Sequence, residues 1–305
     1  MTHPRDEVCR AIASLSSSCS VAEVETVLEP LFQLYGSEED LQHDTTAGIA
    51  PLIVACDKGN VSCLQFLWGK VETSETSSPW ISNFIGKPLD QSPDHGNSAM
   101  HHAAMAGCYE AIAILAQMEQ SSSAIWTLGT VRNTHGDTPL MMAAAAGHVH
   151  FCRTWQELCC QNNDKNTNSS CPPTDVRNAW KLKNDSNDSC LSLACARGHC
   201  DVVEFLLSSA CGVSPDSPEI MQGQILAQKM LAARRLPTLT QVHRDQIERV
   251  RVCIDMLQVA TTQAAEQAAQ ELLGSEVKLE SKGSGKVQGK IKAKSKKNKA
   301  TKGRQ

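Results

Sequence analysis

From Asn133 to Leu158 the chain reads N-T-H-G-D-T-P-L-M-M-A-A-A-A-G-H-V-H-F-C-R-T-W-Q-E-L. A Gly-Asp turn at Gly136 leads into Thr138 and Pro139, an alanine-rich run follows, Gly147 interrupts it, and a second amphipathic segment starts at His148. Pro at the first turn of a helix gives up an N–H that has no intrahelical partner, and Gly permits a sharp reversal at a helix end. The stretch therefore predicts two antiparallel helices with a β-hairpin turn at their front.

The same frame recurs three more times. Gly48, Ala50, Pro51 and Leu52 run through Ala55 to Gly59; Gly96 to Gly107 carries Ala99, His101, Ala103 and Ala104; Asn187 to Gly198 carries Leu191 and Ala194, with His199 after it. Each is followed by a second apolar run, at Val61–Leu67, Tyr109–Leu115, Val149–Leu158 and Val202–Leu207. Small Ala or Cys on the first helix lets neighbouring units approach closely. Neither helix of a pair buries its apolar face alone, so the units must stack.

The frame resembles the ankyrin repeat, whose core reads G-x-T-P-L-H-x-A-A-x-x-G-H followed by a V-V-x-x-L-L helix. Gly136, Thr138, Pro139, Leu140, Ala143, Ala144, Gly147 and His148 match, and Met141 stands where the family has histidine. The fourth copy departs most, with Asn187, Ser189 and Cys190 for Gly, Thr and Pro, which should loosen its hairpin and leave its helices intact. The expected fold is all-α: an ankyrin-type α-solenoid with short β-hairpin turns, extended insertions and a disordered C-terminal tail. Residues 1–43 are read as a divergent helical cap, or alternatively as an independent helical hairpin, with Ser18 or Ser20 as cap residues. Residues 44–213 hold the repeats, at about 44–69, 95–118, 133–160 and 185–210. Residues 214–273 are a divergent helical unit with a projecting helix, and 274–305 a lysine-rich tail.

The repeat glycine positions are 48, 40 and 51 residues apart, against about 33 for a plain ankyrin unit. The excess falls near Lys70–Asp94, Glu119–Arg132 and Gln161–Asp185, segments rich in Ser, Asn, Pro and Thr that read as loops. Within them lie Trp80, Phe84, Trp126 and Trp180. Two readings stay open for these aromatics: local plugs folded back on their own repeat, or anchors for a partner, since large aromatics dominate binding hot spots.

Only 41% of the 305 residues are hydrophobic and 4% aromatic, which suits a thin, surface-rich stack better than one large globule. The first residues lack the apolar core of a signal peptide, and no apolar run approaches the roughly 18 residues of a membrane span. A soluble protein of the cytoplasm or nucleus, with no membrane attachment, is expected. The fourteen cysteines do not recur at disulfide-like or zinc-like spacing, and Cys56 and Cys195 replace the second repeat alanine, so reduced, packed thiols are expected. Cys159, Cys160 and Cys171, near His148 and His150, lack the Cys-x-x-Cys clamp of a zinc site. No P-loop, G-x-G-x-x-G or H-E-x-x-H sequence is present. The reading is of no enzyme, no metal and no cofactor.

The formal charge of −4 conceals two bodies of opposite sign. From Lys278 onward there are eleven Lys/Arg and one Glu, a balance of +10, which leaves 18 basic and 32 acidic residues, or −14, for residues 1–277. The resemblance implies protein binding on the concave face formed by hairpins and inner helices, by a monomer apart from its partner. Asp44, Thr46, Asp94, Asn97, His135, Asp137, Asp185 and Asp188 flank the hairpins as candidate contacts, and an acidic body favours a basic partner. The tail, with Lys290, Lys292, Lys294, Lys296, Lys297 and Lys299, has three readings: non-specific contact with RNA or DNA, an import signal, or solubility. The functional expectation is a non-catalytic adaptor or scaffold. Its alternatives are an RNA- or ribosome-associated factor and a nuclear regulatory adaptor.

Overall fold

The computed structural model describes residues 4–34, 49–74, 84–119, 124–163, 178–208, 218–233 and 244–270. The chain divides into two units, Met1–Met256 and Leu257–Gln305. Of the second, the described residues, 257–270, are helical. The first unit contains α1 (Pro4–Ser14), α2 (Val21–Leu34), α3 (Pro51–Asp57), α4 (Val61–Ser74), α5 (Ala99–Ala106) and α6 (Ala111–Glu119). It continues with α7 (Ala124–Thr130), α8 (Pro139–Ala146), α9 (Val149–Asn163), α10 (Cys190–Arg197), α11 (Cys200–Leu207) and α12 (Pro218–Ala233), and residues 244–256 are helical.

These helices form two layers. The inner row runs α1, α3, α5, α8, α10, α12, each packed on the next, and the outer row runs α2, α4, α6, α9, α11. Composition explains the difference between the rows. Ala55 and Cys56, Ala103 and Ala104, Ala143 and Ala144, and Ala194 and Cys195 are all fully enclosed, so each of the four repeat inner helices carries a pair of small buried side chains that permits close approach. The outer row buries larger side chains, Leu64, Leu67, Ile112, Leu115, Phe151, Trp155, Val203 and Leu206.

The ends of the inner helices are specified locally. Pro51 and Pro139 open α3 and α8. Thr138 accepts a hydrogen bond from the Met141 amide, while Ser98 with His101 and Ser189 with Ser192 form reciprocal capping boxes. At the other end Gly147 closes α8 at φ 85°, a left-handed conformation that costs an L side chain about 1–2 kcal/mol. In the outer row Ser20 caps α2 by exchanging hydrogen bonds with Glu23, and the Ser20 amide and hydroxyl, both donating to Glu23 Oε2, hold the Glu23 carboxyl below its ordinary range.

Two sequence expectations need correction. The short β-hairpins are absent: among the described residues there is no strand, and β-pairing is limited to an isolated antiparallel bridge between Gln91 and Ser98. The front segments reverse within a few residues, and side-chain amides take hydrogen bonds that a ladder would otherwise supply. The insertion at Glu119–Arg132 is not simply a loop, because α7 forms within it and packs on α6, α8 and α9. Its Ala124 and Leu128 are buried, so packing supplies what a seven-residue segment with an internal Gly lacks in helix propensity. Asp44, Thr46, Trp80 and the tail lysines 290, 292, 294, 296, 297 and 299 lie outside the described residues.

Candidate functional site

The front edge is built from three successive turns, at residues 91–98, 133–137 and 184–188. The second and third share a plan written in two pentapeptides, N-T-H-G-D and N-D-S-N-D. Asn133 Oδ1 accepts from the amides of His135 and Asp137, both at 2.9 Å, and the Asn133 amide donates to the Asp137 carbonyl at 3.0 Å. Asn184 Oδ1 accepts from the Asp188 amide at 2.8 Å, and its own amide donates to the Asp188 carbonyl at 3.0 Å. Gly136 takes the left-handed position at φ 73° in the second turn, and Asn187 takes it at φ 66° in the third. Asn tolerates that region better than other non-glycine residues, so the substitution preserves the turn. With Ser189 serving as the cap in place of Thr, the fourth unit is closed like the third.

Each turn is then tied to the next. The Thr134 amide and hydroxyl both donate to the His95 carbonyl, at 3.1 and 2.8 Å, and the Asp185 amide donates to the His135 carbonyl at 3.1 Å. Behind the tips, Asn133 Nδ2 donates to Asn97 Oδ1 at 2.9 Å and Asn184 Nδ2 to Asp137 Oδ1 at 2.7 Å. His101, fully buried, reaches forward with Nε2 3.0 Å from the Asp137 carbonyl. Burial pushes its imidazole down to about 4, against a smaller upward pull from the Asp137 carbonyl and a further depression from His102. His101 is thereby kept neutral as a strut between inner helix and turn.

The predicted contacts separate on this frame. Asp94, His135 and Asp185 are exposed at the turn tips; Asp137 and Asp188 are half-buried. Burial raises the Asp188 carboxyl, with the Ser192 hydrogen bond opposing it. Asn97 is buried, and its side-chain oxygen is engaged by Asn133. The aromatics lie against the outer layer. Phe84 packs edge-on to Phe32, centroids 5.8 Å apart. Trp180 is 1% exposed and sits between Trp155 and Phe205, at 5.3 and 5.7 Å. Trp126, half-buried, faces Trp155 at 6.2 Å.

Four contributors were missed by the sequence reading: His95, Asn133, Thr134 and Asn184. Aligning the two pentapeptides finds both asparagines, because each begins with Asn and ends with Asp. His95 carries no such signal, since it participates through its carbonyl. The tip rings of His95 and His135 lie 5.8 Å apart. Among the described residues no cluster of three or more His, Cys, Asp or Glu could hold a metal, and no helix is long and apolar enough to cross a membrane.

A family model of ankyrin repeats, described as three copies, matches residues 20–125 and 121–218. The match extends over more than half of the chain, and the chain belongs to the ankyrin repeat family. No curated protein matches it.

Proposed function

We propose that this chain is a non-catalytic protein-binding scaffold whose docking edge is the row of turn tips at Asp94–His95, Thr134–His135 and Asp185. The observation that carries the reading is the interlocking of those tips through His95–Thr134 and His135–Asp185 backbone hydrogen bonds. Adjacent repeats thus hold exposed polar groups in a fixed register, which reduces the ordering cost of binding. Asp94 and Asp185 lie exposed along that row and Asp137 behind it, and residues 1–277 carry a balance of −14. A basic protein segment is therefore the favoured partner class.

The test is affinity purification with the full chain, an Asp94→Lys/Asp185→Lys chain and a chain lacking residues 278–305, each at low and high salt. The reading expects a protein retained by the tail-deleted chain and lost by the double variant, with helical content and thermal unfolding unchanged. Retention of every partner by the double variant would overturn it.

The +10 balance of residues 278–305 supports a second reading, in which this segment contacts RNA through phosphate charge. Such binding weakens steeply with salt. RNA recovery that survives both deletion of 278–305 and high salt removes this reading.

A further inference from the structure

Cys200 and Cys253 are 53 residues apart in the chain, yet their sulfurs lie 3.5 Å from each other within the first unit. The approach follows from Gly198. A Cβ there would stand 2.9 Å from Arg249 Cβ and 3.1 Å from the Val250 amide nitrogen, so only glycine admits residues 249–253 this close to the start of α11. The polar ties across the contact are long ones: Cys200 Sγ to the Arg249 carbonyl at 3.6 Å and Gln246 Nε2 to the Arg197 carbonyl at 3.4 Å. All described cysteines are free thiols.

We propose that Cys200 and Cys253 are a peroxide-responsive dithiol that closes into a disulfide, clamping helical residues 244–256 onto the fourth repeat. A disulfide needs sulfurs about 2.05 Å apart; at 3.5 Å the pair is already in van der Waals contact.

The order of events follows from access. Cys200 is half-buried and Cys253 fully enclosed, so an oxidant of the hydroperoxide class meets Cys200 first. The Cys200 sulfur attacks one oxygen of hydrogen peroxide, the O–O bond breaks, and the departing hydroxide takes the proton given up by the Cys200 thiol to become water. This leaves a sulfenic acid on Cys200. The Cys253 sulfur then attacks the Cys200 sulfur, the S–O bond breaks, and the hydroxide leaves with the Cys253 proton as a second water. Two thiols lose two electrons in total and peroxide gains them. Burial, the first cause, raises the Cys253 thiol well above its ordinary range.

Cys195 is the neighbouring competitor. It is fully enclosed in α10 and burial pushes its thiol up to about 12. Tryptic cleavage separates the alternatives, because Cys195 falls in peptide 184–197, Cys200 in 198–229 and Cys253 in 252–278. Cys211 shares the Cys200 peptide, so the experiment uses the full chain carrying Cys211→Ser.

This chain, reduced and then titrated with hydrogen peroxide from equimolar amounts upward, should yield peptide 198–229 joined to 252–278, with a mass loss of two hydrogens. Its thermal midpoint should rise and return to the starting value with dithiothreitol. Added Cys253→Ser should leave a sulfenic acid on Cys200 that dimedone traps, and added Cys200→Ser should abolish both the crosslink and the thermal shift. Oxidation of Cys200 to sulfinic acid without crosslinking, or a bridge from Cys200 to Cys195, would overturn the proposal.

Discussion

The imidazole of His199 occupies the space that a side chain on Gly147 would need. A Cβ on Gly147 would lie 2.5 Å from His199 Nδ1, while Nε2 of the same ring sits 3.0 Å from the Ala145 carbonyl. The pairing repeats one unit earlier, where His148 lies over Gly107 and reaches the Met105 carbonyl at 3.0 Å. The histidine between the two helices of one repeat thus satisfies a carbonyl near the end of the preceding repeat's inner helix, and the helix-ending glycine makes room for it.

Gly147→Ala should therefore cost about 2–3 kcal/mol. About 1–2 kcal/mol is the left-handed backbone penalty, and about 1 kcal/mol is the displaced hydrogen bond. Urea unfolding followed by circular dichroism measures it. A midpoint unchanged from wild type would show that the ring moves aside freely.

Acid should weaken the stack in a defined window. The His101 imidazole titrates at about 4 in the folded chain against an ordinary 6.5, so between those values the unfolded chain binds the extra proton. Its contribution is fully present above pH 6.5, declines as pH falls, and is exhausted below about pH 4. The total is about 3 kcal/mol. His199, depressed by burial first, adds to the same slope. Unfolding free energy measured at intervals from pH 7 to pH 4 should fall, and His101→Gln should flatten the fall.

The two buried indoles should respond differently to loss of nitrogen. Trp155 Nε1 donates to the Ile125 carbonyl at 2.9 Å, and its ring fills the space beside Gly129. Trp180 Nε1 is buried with no partner among the described residues. Trp155→Phe should cost about 2–3 kcal/mol, combining lost area with a lost hydrogen bond, and Trp180→Phe about 1 kcal/mol less. Equal costs in parallel denaturation curves would show that the Ile125 hydrogen bond contributes nothing net.

At the third turn, Asn187→Gly should raise stability by a few tenths to about 1 kcal/mol by relieving the left-handed penalty. Asn187→Val should lower it by more. Thermal midpoints of the two variants, ordered the other way, would mean that Asn187 earns its place through side-chain contacts instead.

The inner row was legible from the sequence because it is periodic: Ala103–Ala104, Ala143–Ala144 and Ala194–Cys195 sit in phase, and Gly107, Gly147 and Gly198 close each helix. The cap of α2 was narrowed in sequence to Ser18 or Ser20, and the fold selects Ser20 through its bonds with Glu23. The front turns were only half legible. Gly136 and Asp137 announce a reversal, but the choice between a strand ladder and a turn held by Asn133 depends on where the preceding unit lies. The helix Ala124–Thr130 was hidden because its sequence has little intrinsic helicity and gains its stability from α6, α8 and α9. Whether Trp180 faces solvent or core was undecidable from its polar neighbours, since Trp155 and Phe205, which enclose it, are 25 residues away on either side. Asp188 looked like Asp185 in sequence, and only the fold separates a half-buried carboxyl from an exposed one.

The edge-to-face contact between Trp155 and Trp180 has an optical consequence. Two indoles 5.3 Å apart and at 89°, rigidly held in a chiral setting, couple their transitions and should give strong near-ultraviolet dichroic bands. Those bands depend on Trp180, in the insertion before the fourth repeat, staying docked against Trp155 of α9, whereas the far-ultraviolet signal reports helices wherever they survive. The wild-type chain therefore reports, without any label, whether that insertion lifts off α9 before the helices melt.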